Sequence, residues 1–311
     1  MKQINTVTGL IDSAMLGETL CHEHVTAYNL SFYNAFKDKW FSKKEVIDRA
    51  VKLFSQAKEE CGVTTIIDGT PIDLGRDIEM IKTVCKNSGV NIIVSSGIYC
   101  NEEVFLKGKN PNKLANYFID ECQNGIGDTG VKPAILKCAT GRLGVTEINQ
   151  LLISAMAITQ KETGLPIFAH SEHQLKTPYQ QLKIFDKHGV DLEKVVIGHC
   201  SDCYDIEYLI DLLKNGCYLG FDRIYPSAYE KQAQTIANLI AKGYINKLLV
   251  SHDFFAFYDF GDTDFESQKN SVRDFTTVHK KLLPALRELG ISEKDVKKLT
   301  NDNPRKLLTG N

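Results

Sequence analysis

Eight short apolar runs, each followed by a stretch of helical periodicity, constrain this chain more than any other feature. The runs cover 18–24, 64–70, 91–99, 133–140, 166–171, 194–200, 217–222 and 247–253. Their length and β-rich content predict strands. Between the first two, Val46, Ala50, Phe54 and Ala57 recur three or four residues apart and share one helix face. Further helices are predicted over 148–158, 206–213 and 272–289. Gly89, Gly164, Gly189, Gly216, Gly243 and Gly290 stand at expected helix ends, where a left-handed residue stops the helix. Alternating strands and helices imply parallel strands joined by crossovers. Eight units in 311 residues imply an α/β TIM (β/α)8 barrel, a single domain over 1–311, with an extra C-terminal helix over 292–308.

The rest of the chain narrows the setting. The net charge of -2, with both signs interspersed, gives no basic footprint for nucleic acid or an anionic membrane. No apolar run has the length of a membrane span, and MKQINTVTGLIDSAM lacks the apolar core of a secretory signal. Nine cysteines, an odd number scattered through strands and helices, predict free thiols and a cytoplasmic protein. The run FFAFYDFGDTDFESQ after Asp253 is the longest connection at a strand end. It reads as a loop covering a pocket.

Several of the predicted strands turn polar where they end. The first closes on His22-Glu23-His24, the fifth on His170, the sixth on His199, the eighth on His252-Asp253, and the fourth carries Lys137 among apolar neighbours. In a barrel these ends converge on one mouth. His22 and His24, two apart, face the interior together, whereas Glu23 points outward and is structural. As a bare motif, HxH reads equally as a hydrogen-bonded histidine pair. Lys137 either snorkels outward or is buried at a cost. Buried and neutral, its amine adds carbon dioxide to form a carbamate whose two oxygens bridge two cations. Taken one at a time, His170 reads also as a core histidine and Asp253 as a helix cap. Together the imidazoles and carboxylate suit zinc and other first-row divalent metals, cobalt, manganese, nickel or iron among them. His173 is placed in a loop beside the mouth and His252 facing away from it. His188 and His279 are expected to be surface or packing residues. Cys21, Cys138 and Cys200 are expected to be small hydrophobes turned away from the mouth.

These residues carry a resemblance. Ile4–Gly9 with Leu16-Gly17-Glu18-Thr19-Leu20-Cys21-His22-Glu23-His24, Ile135-Leu136-Lys137-Cys138-Ala139-Thr140, Gly198-His199-Cys200-Ser201-Asp202 and Val250-Ser251-His252-Asp253 resemble the motifs of the phosphotriesterase family of the amidohydrolase superfamily, in its lactonase branch. The likeness covers essentially the whole chain. It implies two divalent metal ions per chain: His22, His24 and Asp253 on the more buried one, His170 and His199 on the other, with carbamylated Lys137 and a hydroxide between them. Some relatives have Glu at the lysine position; this chain has Lys. Tyr99 resembles a tyrosine beside the hydroxide, and Arg223 an arginine beside the substrate; their plain readings are a core tyrosine and an ion pair with Asp222. The implied activity is hydrolysis of a small-molecule ester or lactone, such as a phosphorylated sugar lactone or an acyl-homoserine lactone, with organophosphate triesters as side substrates. Cations would ionise the attacking water and polarise the carbonyl or phosphoryl oxygen, while Asp253 shuttles the proton. The resemblance also implies a homodimer. Three alternatives stand beside it: an amide or phosphoester hydrolase on the same site, a non-catalytic barrel used for binding, and an unmodified Lys137 with one metal.

Overall fold

The computed structural model describes residues 2–261 and 264–310. Its strands are β1 (Gln3–Thr6), β2 (Gly9–Asp12), β3 (Glu18–Ala27), β4 (Val63–Asp68), β5 (Asn91–Gly97), β6 (Ile135–Ala139), β7 (Ile167–His170), β8 (Val195–Ile197), β9 (Tyr218–Phe221), β10 (Leu248–Val250) and β11 (Phe255–Tyr258). Strands β3 to β10 are the eight predicted runs, each parallel to the next. The ring closes between the last run and the first. The Asp253 backbone N–H donates to the His22 carbonyl at 3.0 Å, and the His22 N–H donates to Ser251 Oγ at 2.9 Å. The result is a TIM barrel.

Two apolar layers hold it. Inside the ring, Ile67, Ile93, Ile135, Phe168, Val196, Tyr218 and Leu249 interdigitate, and Ile4, Leu16 and Leu307 join them. Outside it, strands meet helices through residues such as Val46, Ala50, Phe54 and Ala57, all fully buried on Lys43–Cys61. Burying these faces drives the fold, and the near-continuous apolar run of each strand serves both layers, as where Ile66 faces outward and Ile67 inward. The six predicted helix-stop glycines all have left-handed φ, from 64° to 92°.

Four expectations are corrected. The aromatic run after Asp253 is not all loop: Phe255–Tyr258 forms β11, parallel to β3, with Phe255 opposite His24. The eighth strand is therefore two pieces, β10 and β11, separated by a break at which Asp253 has φ 48°. Asp262 and Thr263, in the same run, lie outside the described residues. The helix expected over 272–289 begins only at Val278, with a wide turn Val278–Leu282 before Leu283–Glu288. The C-terminal helix contains a similar turn at Lys298–Asp302. Pro284 and Pro304 follow these turns, and each lacks the N–H its fourth-preceding carbonyl needs, so the backbone widens to the π spacing. Finally, Cys21 faces the interior layer, not the helices. One extra residue between Leu20 and Glu23, against Ile66 to Asp68 on β4, is a bulge that turns both Cys21 and His22 inward. Cys138 and Cys200 lie in the outer layer as expected, and all nine cysteines are free.

Candidate active site

The strand ends open into a cavity of about 780 Å³ lined by His22, His24, Tyr99, Lys137, His170, Arg223 and Asp253. His199 lies beneath its floor, with Nε2 2.5 Å from His170 Nδ1. Thus the structure brings His22, His24, Lys137, His170, His199 and Asp253 to one place, and leaves Glu23 and His252 outside it. Two glycines make room for them. A Cβ on Gly69 would lie 2.7 Å from the His22 ring, and one on Gly97 would lie 2.0 Å from the Lys137 carbonyl oxygen.

The hydrogen bonds settle which imidazole nitrogens carry protons. Asp222 is the common acceptor. Its Oδ2 takes the His22 Nδ1–H at 2.7 Å. Its Oδ1 takes the His199 backbone N–H at 2.7 Å and the His199 Nδ1–H at 3.1 Å. Thr70 donates its hydroxyl proton to the Thr26 carbonyl, so its oxygen accepts from His24 Nδ1 at 2.8 Å. All three histidines therefore present an Nε2 lone pair to the floor. There, His24 Nε2 faces Asp253 Oδ1 at 3.1 Å, and His22 Nε2 meets Lys137 Nζ at 2.7 Å and Asp253 Oδ1 at 3.5 Å. His199 Nε2 faces His170. Electron-pair donors turned on one another form a set that divalent cations satisfy. The ligand atoms of His22, His24 and Asp253 lie within 4.8 Å of one another. These residues fit the metals implied by the chain's sequence motifs.

Burial sets the charges. It pushes the Lys137 amine down to about 8, against the pull of Asp253 and Asp222, which favours the neutral amine more than water does. Burial also pushes His170 down to about 4 and holds His22 and His199 below the ordinary imidazole value. Neutral imidazoles are the form that binds metal. Burial alone would raise both Asp253 and Asp222. The histidines around them, with Arg223 beside Asp253, outweigh it and hold both carboxylates below their usual range. Burial pushes the Tyr99 hydroxyl up and keeps it protonated. It lies 3.2 Å from His170.

His199 and Asp253 both have positive φ, 62° and 48°. Such conformations are costly for non-glycine residues and persist where surroundings enforce them. For His199 the enforcing group is Asp222, which takes both its N–H groups. Sequence reading overlooked Asp222, weighing it only as an ion-pair partner for Arg223. Its signal was a carboxylate at the end of a predicted strand, beside others already singled out. Arg223 instead spends Nε on Asp253 at 2.9 Å and Nη1 on Asp202 at 2.8 Å. Asp222→Asn leaves one acceptor oxygen for three donors, so one imidazole must move its proton to Nε2. Metal affinity should fall about 10–100-fold, measured by competition with a chromogenic chelator; an affinity within twofold of wild type would remove this role.

The remaining histidines lie off the floor. His252 Nδ1–H donates to Glu23 Oε1 at 2.6 Å, and its Nε2 accepts the Val278 N–H at 2.9 Å. Glu23 does point out of the ring, as expected, and is fully buried there. His173 donates from Nε2 to the Gly198 carbonyl at 2.9 Å. His279 packs 3.4 Å from Glu18, and His188 caps the helix Thr177–Lys187.

A family model described as the phosphotriesterase family matches residues 2–308. The solved structure of the phosphotriesterase from Mycobacterium tuberculosis is similar to this chain with a TM-score of 0.92 and 32% identity, covering 99% of this chain and 98% of that one. The aryldialkylphosphatase of Saccharolobus solfataricus is 29% identical over 309 residues, 96% of this chain and 97% of the relative. The N-acetyltaurine hydrolase of Dictyostelium discoideum is 25% identical over 308 residues, 94% and 80% of the two chains.

Proposed function

The chain belongs to the phosphotriesterase family, a family of metal-dependent hydrolases, and on that premise we propose that it is a lactonase acting on a ring ester with an apolar chain, with organophosphate triesters as slower side substrates. The observation that carries this reading is the contrast between the cavity's floor and its walls. The floor is imidazole, carboxylate and amine; the walls include Tyr99, Tyr225, Phe254, Phe255, Tyr258 and Phe260. Aromatic walls favour an apolar substrate and exclude water from the bond being cut. Next to the floor, Arg223 already has two carboxylate partners. It is a poor anchor for a second anion there, so the group beside the scissile bond is neutral.

Bound divalent cations would supply Lewis acidity and an ionised water at neutral pH. His22, His24, Asp253, His170 and His199 would hold them, together with Lys137 as its carbamate. The chain's own groups do the rest. Arg223 holds Asp253 Oδ2 and so fixes the carboxylate, which would take the water's proton and return it to the leaving alkoxide. The protonated Tyr99 hydroxyl donates a hydrogen bond to the oxygen on which charge develops. Phe255, stacked on His24 with ring centroids 4.0 Å apart, holds that imidazole in place.

A pH-indicator assay on metal-loaded protein tests the proposal. The panel holds alkyl lactones, acyl-homoserine lactones, a phosphorylated sugar lactone, an organophosphate triester and an amide. Alkyl or acyl lactones should turn over fastest, and a chelator should abolish the activity. Turnover of the amide alone would move the chain to the chemistry named for its N-acetyltaurine hydrolase relative. No lactone turnover, with two metals per chain verified, would overturn the reading.

A further inference from the structure

We propose that the substrate carries an anionic tail, a carboxylate or sulfonate, at the end remote from its scissile bond, and that Arg49 and Arg273 bind it. This rests on the hydrolase reading, because the cavity is the same one. Apart from Lys137, three cationic side chains line that cavity, Arg223, Arg49 and Arg273, against one carboxylate, Asp253. Arg223 neutralises Asp253 and also takes Asp202. Neither Arg49 nor Arg273 has an ion-pair partner among the described residues.

Each is nevertheless held in position. Arg49 projects from the helix Lys43–Cys61 and donates from Nη2 to the Gln268 carbonyl. Its Nη1 is buried with no hydrogen-bond partner among the described residues. Glu45, one turn earlier on the same helix, is placed to pair with it but lies 3.3 Å from Lys269, which also takes Glu266 at 2.6 Å. The nearby acids are thus consumed by a lysine, and the arginine is left unneutralised. Arg273 donates from Nη2 to the His252 carbonyl at 3.0 Å. Its guanidinium lies over Tyr225 and Phe254, 4.8 and 5.2 Å from their ring centres. That fixes the plane of the fork and leaves its other N–H groups for a ligand.

A guanidinium is the group best matched to an oxyanion, because its fork offers parallel N–H donors. Two of them, partly buried and without an ion-pair partner among the described residues, give the cavity a surplus of positive charge that a neutral substrate would not use. Ser271 also lines the cavity and adds a neutral hydroxyl donor. The cavity then reads in three zones. The histidine floor takes the electrophilic carbon, the aromatic walls take an apolar linker, and the arginines take the anion.

The test uses metal-loaded protein and a matched pair of lactones, one with a hexyl side chain and one with a 5-carboxypentyl chain. The acid should be preferred at least tenfold in kcat/KM. Arg49→Gln and Arg273→Gln should each cut that preference about tenfold through KM, whereas Arg49→Lys and Arg273→Lys should keep most of it. Equal use of the two lactones, or an undiminished preference in the Gln variants, overturns the proposal. Lysine variants as impaired as the Gln variants assign the effect to packing and overturn it too. If neither lactone is hydrolysed, the lactonase reading fails and calorimetry with hexanesulfonate against hexanol still decides the tail. Tenfold tighter binding of the sulfonate, lost in the Gln variants, supports it; equal binding of the two overturns it.

Discussion

Replacing Lys137 with methionine should lower turnover by at least roughly a thousandfold while leaving the metal-free protein as stable as before, or more so. The two halves have different causes. The amine is fully buried, its hydrogen-bond contact is His22 Nε2, and it lies 5.0 Å from the centre of the Phe168 ring. A buried cation without an anionic partner costs free energy. Methionine is similar in length and apolar, so it removes that cost and fills the space. Lys137 therefore does not earn its place by stabilising the fold. In the proposed role it would help hold the cations as a carbamate, and its loss would remove several kcal/mol of transition-state stabilisation. Turnover under saturating metal, bound metal per chain and urea denaturation together check the prediction. A variant that keeps its activity, or that loses activity only in proportion to lost stability, would show the lysine to be structural.

Glu23→Ala should cost about 3–5 kcal/mol of folding stability, read as a shift in the urea midpoint. Glu23 lies entirely inside the protein and accepts four hydrogen bonds. Oε1 takes the Ser251 hydroxyl at 2.8 Å, the His252 N–H at 2.9 Å and His252 Nδ1 at 2.6 Å; Oε2 takes the Phe254 N–H at 3.0 Å. Ser251 in turn accepts the His22 N–H. One carboxylate thus supplies the acceptors that the broken eighth strand lacks between β10 and β11. Alanine leaves those buried donors unpaired. Because Asp253 lies within the break, activity should fall as well, and Glu23→Gln, with one acceptor oxygen, should be intermediate. A loss below about 1 kcal/mol would mean that the break holds its shape without the carboxylate.

Whatever depends on near neighbours along the chain was legible in the order of the residues. Strand and helix periods are such properties, so the eight runs and the helix-stop glycines were legible, and with them the barrel. So was the clustering of His22, His24, Lys137, His170, His199 and Asp253, because strand ends of a parallel barrel must converge on one mouth. The tertiary structure decided everything that depends on register and closure. The inward turn of Cys21 comes from one extra residue in β3 against β4. β11 exists because the run after Asp253 finds an open edge on β3, which an aromatic, acidic stretch does not advertise. Asp222 joins His22 and His199 across 200 and 23 residues, and Arg223 reaches back to Asp202 as well as forward to Asp253. The charge left over at Arg49 follows from Glu45 pairing with Lys269, 224 residues away. Periodicity records which face of an element is apolar; which partners a buried polar group finds is settled only when distant strands and helices meet.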